Sequence, residues 1–528
     1  MDENMKKDTL LRSHSKMRNS FFKKNKAFKS ETSEEISADI RKQKGTYFSE
    51  DIEWDIQHIK ELFSYPKNID FMVREFTIYS LQKKAALFFI PSLTDTNLIN
   101  EDIIKPLIMS EKIIEDIPSA VSVSAIKQEK EMRKAIQELN TGETLLLLEG
   151  EPYAYVIKTS KAAGRSVDKP QNETTLLGPK ESFIEKADVN ISLIRQKIRT
   201  EDFTVEKMGI GSRSNNEVFI IYNKELAGAE VLNEVKARLG AIKKDAVQNL
   251  ALLVQHIEDR KRSLAPTILH TERPDRAASF IEDGYVVIVM NNSPFALVAP
   301  ATFWSFFHSA DDHYLRFVFG NFTRILRILA MFITIFTPAA YIAITNYHIE
   351  MLPTDLLLAI AGTREMVPMP AIIELLALEL AFELIREAGI RVPIPMGSTI
   401  GIVGALILGQ AGVEANLFSP FVVIVVALSG LSSYAISDLN LNYAVRIIRF
   451  AFLLGAGLLG IFGMICCFIL CLMYLASIKS FGVPYMAPLT PTYKSSNDTI
   501  LRKVLTNEFL RPGFTKTKDL TKDSVQNK

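Results

Sequence analysis

The stretch AIIELLALELAFELIREAG (371–389) sets Glu374, Glu379, Glu383 and Glu387 into an otherwise apolar run. At the centre of a lipid-facing helix a charged residue costs about 2.5–3.5 kcal/mol, and Leu, Ile or Phe each returns about 0.3–0.6 kcal/mol. With Glu treated as Asp, the three central glutamates cost on the order of 8–10 kcal/mol. The nine Leu, Ile and Phe residues between Ile372 and Ile385 offset roughly 4–5 kcal/mol of that, which excludes a lone lipid-facing span. At about 100° per residue, Glu379, Glu383 and Glu387 share an arc of roughly 80° with Arg386 beside it, while Glu374 sits apart. The prolines of the preceding VPMP suit a first turn, and Gly389 suits a stop. Such a helix either lies along a membrane surface against a neighbour or lines a water-filled cavity. Both readings stay open, and both make the carboxylates a functional or assembly surface.

Other chemistry is sparse. GIGSRSNN (209–216) resembles a phosphate-cradling loop but lacks the Lys-Ser/Thr ending and a following helix, so it reads as an ordinary loop. HSADDH (308–313) offers His308, Asp311 and His313 as metal ligands, against the plainer reading of a polar turn at a membrane interface. No GxSxG, HExxH, CxxC or Walker motif occurs, so the expectation is a protein that is not an enzyme and needs no cofactor or metal. A net charge of +1 leaves no footprint for nucleic acid.

The elements that must position the glutamates follow from the distribution of apolar residues. The 528-residue chain mixes charged and apolar residues up to about Asn321, then turns strongly apolar from Ile325 to Ser477. A bilayer core needs roughly 20 mostly apolar residues per helix, so the expected class is an integral membrane protein with a large soluble front end. Spans fit 328–346, 393–413, 418–437 and 450–477, with 366–388 undecided. Four spans return the basic tail to the cytoplasm, whereas five leave it outside, and the charge rule does not choose. The amino-terminal stretch has no apolar signal core, which places the soluble region in the cytoplasm. Residues 1–48 read as a disordered basic tail whose interleaved Phe and Lys suit a solvated segment or contact with anionic lipid. Cys466, Cys467 and Cys471 lie inside the last apolar run and read as small apolar fillers.

An internal repeat organises the soluble part. GETLLLLEGEPYAYV (142–156) aligns without gaps with GYVVIVMNNSPFALV (284–298), superposing Gly142 on Gly284, Pro152 on Pro294 and Ala154 on Ala296. Each copy reads as strand, turn, strand after a helical stretch. The expected fold is an α/β soluble region of two related subdomains, 50–170 and 175–300, followed by a helical transmembrane domain of four to six membrane helices at 325–478. A cytoplasmic tail occupies 479–528.

Longer motifs then carry a resemblance. GPKESFIEKADVNISLIRQKIRT (178–200), TERPDRAASFIEDGYVVIVMNNSPFALVAP (271–300), MLPTDLLLAIAGTREMVPMPAIIELLALELAFELIREAGIRVPIPMG (351–397), GALILGQAGVEANLFSPFVVIVVALSGLSSY (404–434) and SFGVPYMAPLTP (480–491) resemble the A subunits of bacterial spore germinant receptors, the GerA family. The resemblance runs from about residue 50 to about 491 and leaves the first fifty residues and the tail outside. It implies a nutrient sensor of the inner spore membrane, built with a permease-like B subunit and a lipoprotein C subunit. It further implies that A subunits form a homo-oligomer, a pentamer, acting as a ligand-gated ion channel. A membrane-anchored scaffold that conducts nothing is the alternative. A secondary transporter is disfavoured because the spans show neither an inverted repeat nor a matched pair of broken helices.

PIPMGSTIGIVGALILGQAGV (393–413) has two unlike faces. Gly397, Gly401, Gly404, Ala405 and Gly412, with Ser398 alongside, let a neighbouring helix approach closely. Thr399, Val403, Leu406 and Gln410 form the opposite stripe. Around a ring this stripe would line a pore with an apolar constriction, and in a single helix it would face membrane lipid instead.

Overall fold

The computed structural model describes residues 47–109, 116–123, 125–161, 169–391, 406–495 and 498–522. All but the last two residues of the tail 1–48 fall outside these ranges. The chain divides into two compact units, 1–164 with 198–205 and 165–197 with 206–528.

The first unit opens with helix α1 (Ile52–Leu62), whose start is fixed by Asp51, a carboxylate accepting the amides of Glu53 and Trp54 at 3.2 and 3.4 Å. Strands β1 (Met72–Ile78), β2 (Lys83–Phe89), β3 (Ile126–Glu129), β4 (Thr144–Leu148) and β5 (Ala154–Ile157) form an antiparallel sheet in the order β1-β2-β4-β5-β3, with helix α2 (Met132–Leu139) between β3 and β4. Strand β4 is buried throughout because both faces of the sheet are covered. Leu145 and Leu147 pack with Ile52, Ile56 and Ile59 of α1 and Met132 and Ala135 of α2. Leu146 and Leu148 pack on the other side with Ile99 and Ile103.

A second sheet repeats the plan. Helix α3 (Ala187–Arg195), strands β6 (Phe203–Ile210) and β7 (Asn216–Asn223), helices α4 (Ala229–Gly240) and α5 (Leu250–Ile257), strand β8 (Leu269–Thr271), helix α6 (Pro274–Glu282) and strands β9 (Val286–Met290) and β10 (Ala296–Ala299) give the order β6-β7-β9-β10-β8. The two stretches aligned in the sequence are the β4–β5 and β9–β10 hairpins. Gly142 and Gly284 enter them with φ of +100° and +83°, a region that side-chain-bearing residues rarely adopt.

Among the described residues the longer helices that follow are α7 (Phe317–Tyr347), α8 (Thr354–Glu365), α9 (Ala371–Arg391), α10 (Pro420–Ser433), α11 (Leu439–Leu459) and α12 (Ile461–Ser477). Among the described residues, α7 and α11 are long and apolar enough to cross a membrane, with mean hydropathy 2.0 and 1.4. Helix α7 contains the expected span 328–346 and extends before it to Phe317, and Arg324 and Arg327 in that extension pair with Asp312. The segment read as one span over 450–477 is divided at Gly460, which has φ of +63°. Helices α11 and α12 fold back on each other there. A Cβ on Gly463 would lie 1.9 Å from the Gly455 carbonyl oxygen, so only glycine permits the crossing. Of the 393–413 segment only the part from Leu406 onward is described, with a π turn over Ile407–Ala411.

Contacts fix the direction of these helices. The Tyr347 hydroxyl at the end of α7 donates to the Gly457 and Leu458 carbonyls at the end of α11, at 2.6 and 3.0 Å. At the opposite end, Asn440 at the start of α11 lies 3.0 Å from His270 of β8, and Arg260 donates to Ser477 at the end of α12 at 3.0 and 2.9 Å. The chain therefore comes back to the second sheet after α12. There, strand β11 (Lys479–Ser480) pairs with β12 (Val483–Pro484), and the Ser480 hydroxyl donates to Thr267 O at 2.6 Å.

Candidate functional site

Helix α9 starts at Ala371 after the proline-bearing turn and packs against α7, α10 and α11. Its apolar side meets a cluster built from Ile342, Leu375, Leu378, Val422, Val426 and Leu453. Its glutamates have four different fates. Glu374 is fully buried and accepts the amide of Ser419, the residue that caps α10. Glu387 is exposed and pairs with Arg391 one turn on, at 2.6 Å. Glu379 and Glu383 converge on arginines from α11.

Arg449 is the hub. It is fully buried, its Nη2 donates to Glu383 Oε1 at 2.8 Å and lies 2.7 Å from Glu379 Oε2, and its Nη1 donates to the Ser429 hydroxyl at 2.9 Å. The Nη2–Glu379 contact is an ion pair without hydrogen-bond alignment, so among the described residues both oxygens of that buried carboxylate lack a directed donor. Arg446 holds Glu383 in a fork through Nε, at 3.1 Å, and Nη2. Arg386 lies 3.9 Å from Glu383, donates to Ser433 Oγ at 2.9 Å, and stacks on the Tyr434 ring at 4.5 Å. Two carboxylates thus face three guanidinium groups among apolar helices. Such charges are tolerated only when paired, and removing one partner leaves the others stranded at high cost. The arrangement joins α9, α10 and α11 through ionic contacts whose geometry is specific.

The sequence pattern indicated Glu379 and Glu383 but not their partners. The signal was Arg446 and Arg449, three apart in an apolar run and so on one helical face, matching glutamates four apart. Of the proposed pore stripe, Leu406 is exposed and Gln410 donates to Glu414 at 3.1 Å, while Thr399 and Val403 lie outside the described residues. Gly412 abuts the Phe418 ring, where a Cβ would come within 2.8 Å; Gly397, Gly401, Gly404 and Ala405 lie outside the described residues.

GIGSRSNN forms the β6–β7 turn and leads into a strand. The HSADDH side chains diverge: His308 contacts Thr499 O at 2.7 Å, Asp311 accepts the Leu176 amide at 3.1 Å, and His313 sits 3.8 Å from Asp498. Among the described residues no three His, Cys, Asp or Glu side chains converge as metal ligands.

Comparison with known proteins gives a consistent result. The family model described as Bacillus/Clostridium GerA spore germination protein matches residues 57–514, and so includes tail residues beyond the last quoted motif at 491. Spore germination protein KA of Bacillus subtilis is 40% identical over 412 residues, 77% of this chain and 76% of its own. Spore germination protein B1 of the same organism is 34% identical over 83% of this chain and 92% of its own. Spore germination protein GerLA of Bacillus cereus is 33% identical over 86% and 93%. The crystal structure of the N-terminal domain of the A subunit of the Bacillus megaterium spore germinant receptor GerK3 matches 49% of this chain and 98% of its own at 24% identity, with a TM-score of 0.38.

Proposed function

The chain belongs to the GerA spore germination protein family, and from that premise we propose that it is the A subunit of a germinant receptor, acting as a subunit of a nutrient-gated ion channel. In this reading it sits in the inner spore membrane with its two α/β subdomains in the cytoplasm, and it assembles with the permease-like B subunit and the lipoprotein C subunit. Copies of the chain form a ring, a pentamer, around a pore.

The observation that carries the reading is the Glu379, Glu383, Arg446, Arg449 cluster. Ionisable side chains among apolar helices are retained where a polar path or a specific helix arrangement is needed. The docking of Ser480 and Tyr485 beside the second sheet adds a topological argument, since the chain ends its passage on the side where it began. An even number of crossings, four or six, accommodates this return directly and is the count we favour. The direction of α9, from Ala371 near Ile342 to Arg386 near Ser433, fits a helix crossing the same layer as α7 and α10.

Purified protein reconstituted in liposomes, with its partner subunits and the nutrient, should pass ions when nutrient is added. A nutrient response in spores without any flux in liposomes would favour the scaffold reading. Cysteines placed at Thr399, Val403, Leu406 and Gln410 should react with water-soluble thiol reagents only when nutrient is present, and Val403→Ser should leak. Silence at all four positions would remove that helix from the pore.

A further inference from the structure

Residues 479–522 attach at three separate places within one compact unit. The first is the β11–β12 turn and the buried Tyr485, whose carbonyl accepts the Phe303 amide at 2.8 Å. The second lies at the base of α7. Asp498 pairs with Arg324, Thr499 O contacts His308 at 2.7 Å, and Arg502 exchanges bonds with Asn321: its amide donates to Oδ1 at 2.9 Å and its carbonyl accepts from Nδ2 at 3.2 Å. Arg502 also donates to Leu315 O at 2.8 Å. The third lies on the α/β subdomain. Arg511 donates to Glu282 O at 2.8 Å, Lys522 pairs with Asp283 at 2.7 Å, and the Lys518 amide donates to Leu226 O at 3.2 Å. Thr517 lies against Gly284, the glycine that opens the β9–β10 hairpin, closely enough that a Cβ there would meet it at 2.1 Å.

Between the second and third attachments, residues 503–507 are exposed and free of regular structure except the single turn Leu505–Asn507. The second attachment is buried and ionic. Asp312, fully buried, bridges Arg324 at 3.1 Å and Arg327 at 2.8 Å, and Arg324 is itself fully buried. Burial would raise the Asp498 carboxyl, but Arg324 at every pH and His308 when charged hold it down at about 2. Burial lowers His308 to about 4, so at neutral pH Arg324 is the working partner. Among the described residues Arg324 Nη2 and Arg502 Nε and Nη1 have no hydrogen-bond partner, so the joint fixes geometry more than it maximises stability.

We propose that the carboxy-terminal segment is a tie that couples displacement of the second α/β subdomain to the first apolar helix α7. The tie grips the helix on the turns carrying Asn321 and Arg324 and grips the subdomain at the hairpin entry and the end of α6. The exposed stretch 503–507 sets its length. A movement of the hairpin relative to the helix base therefore stretches or relaxes 503–507, which transmits force only while it is short.

The inference rests on the receptor reading for its output, so its test compares slack with length. About twelve flexible Gly-Ser residues inserted after Leu505 leave both grips intact but slacken the connection. In the purified full chain the Arg502 amide should keep its hydrogen-exchange protection, and spores carrying this variant should respond to nutrient at least tenfold more slowly. The same insertion after Lys522, beyond the last grip, should be silent. Wild-type response with slack in place and both grips docked would overturn the tie. Should the insertion undock a grip, a chain ending at Glu508 decides. Exposure of its Arg502 amide would show that the subdomain grip holds the helix base, which supports coupling; a protected amide with full nutrient response would overturn it. Wild-type response in spores lacking the chain altogether would instead sink the receptor reading.

Discussion

Two ionic joints in this molecule use the same chemistry in opposite ways. The joint around Arg449 is built from pairs near in sequence on two helices, glutamates four apart on α9 and arginines three apart on α11. The joint around Arg324 draws Asp312 from a preceding turn and Asp498 from a segment more than 170 residues away, at |i−j| of 174. The first sits among long apolar helices with every member inside regular structure. The second closes a segment that has almost none. Helical periodicity can assemble a charge cluster from local pattern, whereas a strap depends on long-range contacts that no local pattern encodes.

The largest expected effect separates packing from pairing in the first joint. Arg449→Met leaves the buried Glu379 without its ion-pair partner, while Glu383 keeps Arg446, and should destabilise the protein by about 3–5 kcal/mol. Thermal unfolding in detergent would read this as a large drop in midpoint. Adding Glu379→Gln to the same chain, which neutralises the carboxylate left without a partner while Glu383 keeps Arg446, should recover most of the loss. A single variant as stable as wild type would mean that the cluster is not the constraint its geometry indicates.

The second joint should lose less. Asp498→Asn keeps shape and removes the charge facing Arg324, at a cost of about 1–3 kcal/mol confined to the tail and the base of α7. Hydrogen exchange at the Arg502 amide would detect it. The wild-type contribution has a defined pH dependence. The folded carboxyl titrates at about 2, below its ordinary value of 3.8, so the stabilisation is complete above about pH 4 and is lost as pH falls toward 2. The Asn variant should be flat over that range, and a parallel acid loss in it would assign the effect to another group.

The smallest effect serves as the reference for both. Glu387 and Arg391 form an exposed pair one turn apart on α9, and Glu387→Gln should cost no more than about 0.5 kcal/mol. A change as large as that of Arg449→Met would place this end of the helix in a contact with another chain.

What could be read from the sequence follows the same division. The β4–β5 and β9–β10 hairpins were legible because Gly, Pro and Ala recur at fixed positions around short continuous apolar runs. The glutamates of α9 were legible because charge in an apolar run is energetically anomalous. Their arginine partners were not, since the same residues also satisfy a rule about which side of a membrane attracts positive charge. The break at Gly460 was hidden because hydropathy over GAGLLGIFG is continuous and carries no information about a positive φ. The grips of Asp498, Arg502 and Thr517 were invisible for a different reason. Each is a single side chain in an irregular segment, and its partner is specified only by the folded surface it lands on.

The two sheets share one spacing along part of their length. From the helix through the entry glycine to the end of the hairpin, Thr144 and Val286, Leu148 and Met290, Ala154 and Ala296, and Ile157 and Ala299 keep one constant separation. Across that stretch the two hairpins therefore align without insertion or deletion. The links from β2 to β3 and from β7 to β8 differ in length, and among the described residues they carry different helices. Each sheet thus has a side whose spacing is the same in both and a side whose spacing differs, and in the second it is the side of shared spacing against which Thr517 of the tail rests.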